Sequence, residues 1–94
     1  MGKLTKEDII LLFLEEPYKL ADEIWDRNVP KSDEIRTLIC ELGNPYCAYL
    51  YAKFIDNKPT DETRESSYNK DSWKSWSLAY ASWENSLQEL GKRY

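Results

Sequence analysis

The chain has no histidine and only three glycines among its 94 residues, and these shortages exclude several kinds of chemistry. Histidine is the commonest general base of enzymes, so the usual catalytic triads cannot be assembled. Two cysteines without a histidine cannot complete a four-ligand zinc site from this chain alone. The isolated glycines provide neither a P-loop nor a dinucleotide-binding loop. We therefore expect a protein that is not an enzyme and that holds no metal or cofactor.

The chain also lacks a strong net charge and a long aliphatic run. Its 17 acidic and 13 basic side chains leave a formal charge of -4. This balance argues against direct nucleic-acid binding, because that affinity comes mostly from neutralising phosphates. The apolar run at residues 9–14 is flanked by acidic residues and is too short for a signal peptide or a membrane span. We expect a soluble protein of the cytoplasm with no membrane association.

The two cysteines, Cys40 and Cys47, flank a predicted turn at residues 43–45. A disulfide requires Cα atoms within about 7 Å of each other, which helical geometry does not guarantee at this spacing. Free thiols buried in the core, as is typical of reducing compartments, are the simpler interpretation.

What the chain does contain is an internal repeat. Residues 44–64 follow the layout of residues 16–36 at a displacement of 28 positions. The matched pairs are Pro17 with Pro45, Tyr18 with Tyr46, Asp33 with Asp61, Glu34 with Glu62, and Arg36 with Arg64. Periods of roughly 20 to 50 residues are typical of arrays whose units cannot bury their apolar faces alone. We predict one helical-repeat domain over residues 1–94, with an N-terminal half unit at 5–15, full units at 16–43 and 44–70, and a C-terminal helix at 71–91.

Capping residues and helix stops predict helices throughout the chain, and no strand signal is present. The predicted caps are Thr5, Ser32, Asn44, Thr60 and Asp71, and the predicted stops are Gly43 and Gly91. The helix that follows Asn44 has apolar residues around most of its circumference, so it should lie at the centre. The predicted fold is all-α, a compact array of short helical hairpins with about five or six helices and an extended C-terminal helix.

Adjacent carboxylates occur at two predicted helix starts, residues 33–34 and 61–62. Such pairs can in principle serve as a general acid and base. Their place in the first turn favours a simpler role, in which they complement the helix dipole. Arg36 and Arg64 are each expected to pair with the acid three residues earlier.

Residues 44–62 follow a recognisable pattern of proline, tyrosine and alanine. The matching residues are Pro45, Tyr46, Ala48, Tyr49, Tyr51, Ala52, Pro59 and Glu62. The segment resembles a family of short αα-hairpin repeats from uncharacterised tailed-bacteriophage proteins. The resemblance implies an αα fold and a viral accessory protein, and it supplies no catalytic residues to carry over.

The C-terminal segment has an apolar seam with alternating spacings of three and four. Its members are Trp73, Trp76, Tyr80, Trp83, Leu87 and Leu90. The seam is either the face by which this helix packs on its own array or an accessible surface for a partner. Under the second interpretation, the partner-binding residues are Trp73, Trp76, Tyr80, Trp83 and Leu87, with Trp83 as the anchor.

The leading functional hypothesis is a small protein-binding module, because helical arrays mainly offer protein-binding surfaces. With the resemblance, this becomes a phage-encoded inhibitor or modulator of a host protein or defence complex; the partner is a host protein or a second copy, as in a homodimer. One alternative is a nucleic-acid mimic with an acidic surface formed by Asp22, Glu23, Asp26, Asp33, Asp61, Glu62 and Glu65. Another is a nucleotide or small-anion sponge, in which Trp73 and Trp76 stack on the ligand beside Lys70 and Lys74.

Overall fold

The structure is a computed structural model that describes residues 3–68 and 74–92. All regular elements in these two stretches are helical, which confirms the predicted all-α fold. They are α1 (Lys6–Glu15), α2 (Pro17–Trp25), α3 (Asp33–Glu41), α4 (Pro45–Leu50) with a π-helical continuation (Tyr51–Asp56), α5 (Asp61–Ser67) and α6 (Lys74–Lys92). The predicted extended C-terminal helix is α6. The predicted stop at Gly91 is wrong, because α6 continues through this glycine to Lys92.

Four of the five predicted caps begin helices in the described chain. The side chains of Thr5, Ser32, Asn44 and Thr60 each accept a hydrogen bond from the backbone N–H three residues later, at 3.0 to 3.2 Å. These bonds satisfy N–H groups that have no partner within the first helical turn. The fifth predicted cap, Asp71, lies outside the described residues.

Residues with positive φ end three of the helices. Gly43 follows α3 with a φ of 81°, a conformation that glycine adopts without steric cost, as its predicted role as a stop requires. Asn57 ends the π-helical segment with a φ of 58°, and asparagine is one of the few other residues that tolerate this region. Arg27, with a φ of 62°, stops α2 at Trp25.

The central position of α4 is confirmed, since α2, α3, α5 and α6 all pack against it. Its buried side chains join those of the π-helical segment in one core. This core includes Cys47, Ala48, Tyr49, Leu50, Tyr51, Ala52 and Ile55. Tyr49 is 9% exposed, and Tyr46 is partly buried against the same cluster. The small residues between the rings allow neighbouring helices to approach closely.

A buried ion pair joins α3 to the end of the π-helical segment. The Arg36 guanidinium donates to both carboxylate oxygens of Asp56, at 2.6 and 3.2 Å, and it also contacts Asp33 at 3.0 Å. The side chain of Asp56 is completely buried, and that of Arg36 is 14% exposed. The hydrogen bond to Asp56 raises the pKa of Arg36. The predicted pairing of Arg36 with Asp33 is therefore present, but Asp56 is the more deeply buried partner.

The second unit has an equivalent arrangement two helices later, between α5 and α6. Arg64 donates to both carboxylate oxygens of Glu84 in α6, at 3.0 and 2.8 Å, and to Asp61 at 2.7 Å. In each unit, an arginine in the second helix of a hairpin thus holds one acid at the start of its own helix and another in the helix that follows. We call these two arrangements the arginine clasps.

Two tyrosine hydroxyls also connect successive helices, one beside each arginine clasp. The Tyr51 hydroxyl donates to the carbonyl of Pro30 at 2.8 Å and accepts from the backbone N–H of Ser32 at 3.1 Å. The Tyr80 hydroxyl lies 2.7 Å from the Thr63 hydroxyl and accepts from the backbone N–H of Thr60 at 3.3 Å. Each tyrosine therefore anchors the start of the preceding helix, beside its capping residue.

Substitution of Arg36 by Met should lower the free energy of unfolding by about 3 to 5 kcal/mol, because the buried Asp56 carboxylate would lose its counter-charge. Arg64→Met is the matched control and should have a much smaller effect, since the side chains of Arg64 and Glu84 are 39% and 16% exposed. Urea unfolding followed by circular dichroism measures both effects. Equal losses in the two variants would show that burial does not distinguish the two clasps.

Candidate protein-binding surface

The structure places the members of the predicted C-terminal seam differently from one another. Tyr80 is completely buried, while Trp83 and Leu87 are partly exposed. Trp73 lies outside the described residues, and for Trp76 only the helical backbone is described. Tyr80, which we expected at a partner surface, is therefore a core residue of this structure.

Aromatic contacts direct the middle of the seam toward the array. The Trp83 ring lies edge-on to Tyr80, with centroids 5.4 Å apart, and edge-on to Tyr49 at 6.5 Å. Tyr68, after α5, packs edge-on against Tyr80 at 5.9 Å. α5 itself has few apolar residues. Its contact with α6 is largely polar, through Thr63 and Arg64, and an apolar pattern does not reveal such a contact.

Trp83→Ala should therefore act on folding. Loss of its edge-on contacts should lower the free energy of unfolding by about 2 to 4 kcal/mol, somewhat below the usual cost for a completely buried tryptophan. Leu87→Ala, farther along α6 and partly exposed, is the milder control. Thermal and urea unfolding measure both. A Trp83→Ala protein with unchanged stability would return Trp83 to the candidate partner surface.

The described part of α1 exposes more large apolar side chains than the described part of α6. At 100° per residue, Ile9, Leu12 and Phe13 lie on one side of this helix, and Ile10, Leu11 and Leu14 lie on the other. The first side packs on the core, with Ile9 completely buried. On the second side, Ile10 is 37% exposed, Leu11 64% and Leu14 73%. We call Ile10, Leu11 and Leu14 the α1 outer surface.

A groove of about 550 Å³ runs beside the α1 outer surface, between α1 and α3. Ile10 and Leu38 supply its apolar lining, and Asp33, Glu34 and Glu41 supply carboxylates. Lys6 of α1 lines the same groove and pairs with Glu34 across it. The groove therefore joins an exposed apolar helix face to an acidic border.

The acids of the predicted alternative surface fall into two groups. Asp33, Asp61, Glu62 and Glu65 lie on α3 and α5, and Asp22 and Glu23 lie on α2, with Asp26 just after it. Several of these acids already have partners within the protein. Arg36 binds Asp33 and Arg64 binds Asp61, while Glu62 accepts from the Thr37 hydroxyl at 3.0 Å. Asn28 donates to Glu23 at 2.7 Å. These contacts reduce the unpaired negative charge that a nucleic-acid mimic requires.

A second exposed feature that the sequence patterns did not reveal is an aromatic corner at the end of α2. Trp25 is 54% exposed and packs on Phe54 with ring centroids 4.6 Å apart. Arg27 and Lys53 lie over the Phe54 ring at 5.4 and 5.7 Å. Cation–π contacts of this kind are favourable within the protein itself. The corner is therefore a packed surface cluster, and it is less open than the α1 outer surface.

Neither a reactive thiol nor a metal-binding cluster occurs among the described residues. Both cysteines are free thiols, and burial raises the pKa of Cys40 to about 11 and that of Cys47 to about 12. Thiolates are the reactive form, so both groups are poor nucleophiles near neutral pH. Within residues 3–68 and 74–92, no cluster of metal-binding side chains occurs. No helix in these stretches has the length and apolar character needed to span a bilayer.

Comparisons with protein-family models, with curated proteins and with solved structures gave no match. The function has to be inferred from the exposed surfaces themselves.

Proposed function

We propose that this chain is a non-enzymatic protein-binding module that docks on its partner through the α1 outer surface. The observation that carries this proposal is a helix with apolar residues on two sides, of which only one side packs on the core. The outward side of a surface helix normally carries charged or polar residues instead. Contiguous exposed apolar side chains on a monomer mark interaction sites more often than chance positions.

The partner class follows from the phage resemblance of residues 44–62. We propose that the partner is a host protein, such as a component of a defence complex, whose activity the module inhibits or modulates. Self-association through the same surface is the second arrangement in this class.

The nucleic-acid mimic is a weaker second candidate. Its support is the grouping of acids on α3 and α5, and its weakness is that arginines within the protein already bind Asp33 and Asp61. The nucleotide sponge depends on Trp73, Trp76, Lys70 and Lys74, whose side chains lie outside the described part of the structure.

The double substitution Leu11→Ser/Leu14→Ser tests the proposal. Both side chains are largely exposed, so the free energy of unfolding should change by no more than about 1 kcal/mol, about 0.5 kcal/mol for each substitution. Capture of partner proteins from a bacterial lysate on the immobilised chain should be lost, because the apolar contacts at the centre of an interface supply most of its affinity.

The matched control is Leu78→Ser, which alters a leucine on α6 that is 68% exposed. It should retain the same partner as the unmodified chain. If Leu78→Ser loses the partner and the α1 variant keeps it, the binding surface lies on α6 and the proposal is wrong.

A further inference from the structure

The charges around the α1 outer surface are mainly negative. Glu7 lies one turn before Leu11 and two turns before Leu14, so it continues the same exposed side of α1. Across the groove, Asp33, Glu34 and Glu41 are exposed on α3. The α1 outer surface thus has a carboxylate at its N-terminal end and further carboxylates along the edge that faces α3.

Ion pairs within the protein neutralise only some of these carboxylates. Lys6 pairs with Glu34, and Arg36 pairs with Asp33 while mainly holding Asp56. Glu41 forms no ion pair with any other described residue, although it borders both the α1–α3 groove and the adjoining groove next to Glu62 and Glu65. The surface therefore retains negative charge that a partner can complement.

We propose that the α1 outer surface, together with the adjoining α1–α3 groove, receives a basic amphipathic helix of the partner protein. This inference rests on the proposed function and specifies the chemistry of its partner. The apolar side of the incoming helix would cover Ile10, Leu11 and Leu14, as in helix-in-groove recognition. Its lysines or arginines would reach Glu7, Glu34 and Glu41 at the border.

The same charges argue against two other occupants. A second copy of this chain would place Glu7 and the α3 acids of both copies at one interface, and like charges brought together oppose association. An anionic membrane surface would repel the same carboxylates, because helices that bind such membranes carry lysine and arginine on their polar side. A second copy remains a distinguishable outcome of the test.

The probe is a fluorescent Leu–Lys peptide of about 18 residues, long enough to form a helix, with leucines at positions i, i+3, i+4 and i+7. A Leu–Glu peptide with the same leucine positions is the charge control. A Leu–Lys peptide of the same composition in scrambled order is the control for nonspecific attraction. Fluorescence anisotropy should show that the chain binds the amphipathic Leu–Lys peptide at least about tenfold more tightly than either control.

Three variants of the chain locate the binding site. Leu11→Ser/Leu14→Ser should abolish binding of the amphipathic Leu–Lys peptide, and Leu78→Ser should leave it unchanged. Glu7→Gln/Glu34→Gln/Glu41→Gln should weaken binding by about tenfold and flatten its dependence on salt. Circular dichroism confirms that each variant remains folded.

The remaining outcomes overturn the inference in different ways. Equal binding of the Leu–Lys and Leu–Glu peptides, lost in the Leu11/Leu14 variant, would contradict the basic partner but retain the proposed function. Binding of the scrambled peptide as tight as that of the amphipathic one, or binding that survives in the Leu11/Leu14 variant, would contradict the groove as the site. If the chain binds no peptide but dimerises in sedimentation, and the Leu11→Ser/Leu14→Ser variant does not dimerise, the occupant is a second copy. If the chain neither binds a peptide nor dimerises, the basic helix is wrong as the occupant, and the proposed function still stands.

Discussion

The buried Asp56 carboxylate is the constraint on which the arrangement of the hairpins depends. A buried charge is costly without a partner in good geometry, so Asp56 requires Arg36 of α3 at one position and in one orientation. Nearby, the Tyr51 hydroxyl binds the chain at the start of α3. Apolar packing around α4 supplies most of the stability. We infer that these polar contacts determine the relative position and orientation of α3 and the central helix.

The pairing of an arginine clasp with a tyrosine hydroxyl occurs twice, and the two clasps differ in how deeply they are buried. Arg64 and Tyr80 connect α5 to α6 as Arg36 and Tyr51 connect α3 to the central helix. The second clasp is more exposed, so it contributes less to stability and more to orientation. Because polar contacts help to hold α5 against α6, α5 needs fewer apolar residues than helices that are held by apolar packing alone.

Sequence reasoning succeeded where the relevant contacts are local. A cap bonds to a backbone group three residues away, so Ser32, Asn44 and their counterparts could be identified from the chain alone. The arginine clasps join residues twenty positions apart, and no local pattern marks Asp56 as the buried partner. The run at residues 9–14 was evident, but packing alone decides which of its sides faces the core. The apolar spacing in α6 did not reveal that Tyr80 is buried, because its burial depends on the positions of α4 and α5.

We infer that the two sides of α1 have separate functions: the inner side stabilises the fold and the outer side stays open for a partner. Methyl NMR of the isolated chain with a soluble paramagnetic agent measures this directly, because broadening reports the access of solvent to each methyl group. The methyls of Leu11 and Leu14 should broaden strongly, and those of Ile9 and Ile24, which are completely buried, should remain sharp at every protein concentration. Protection of Leu11 and Leu14 equal to that of Ile9 would show that the outer side is already covered and would contradict the account.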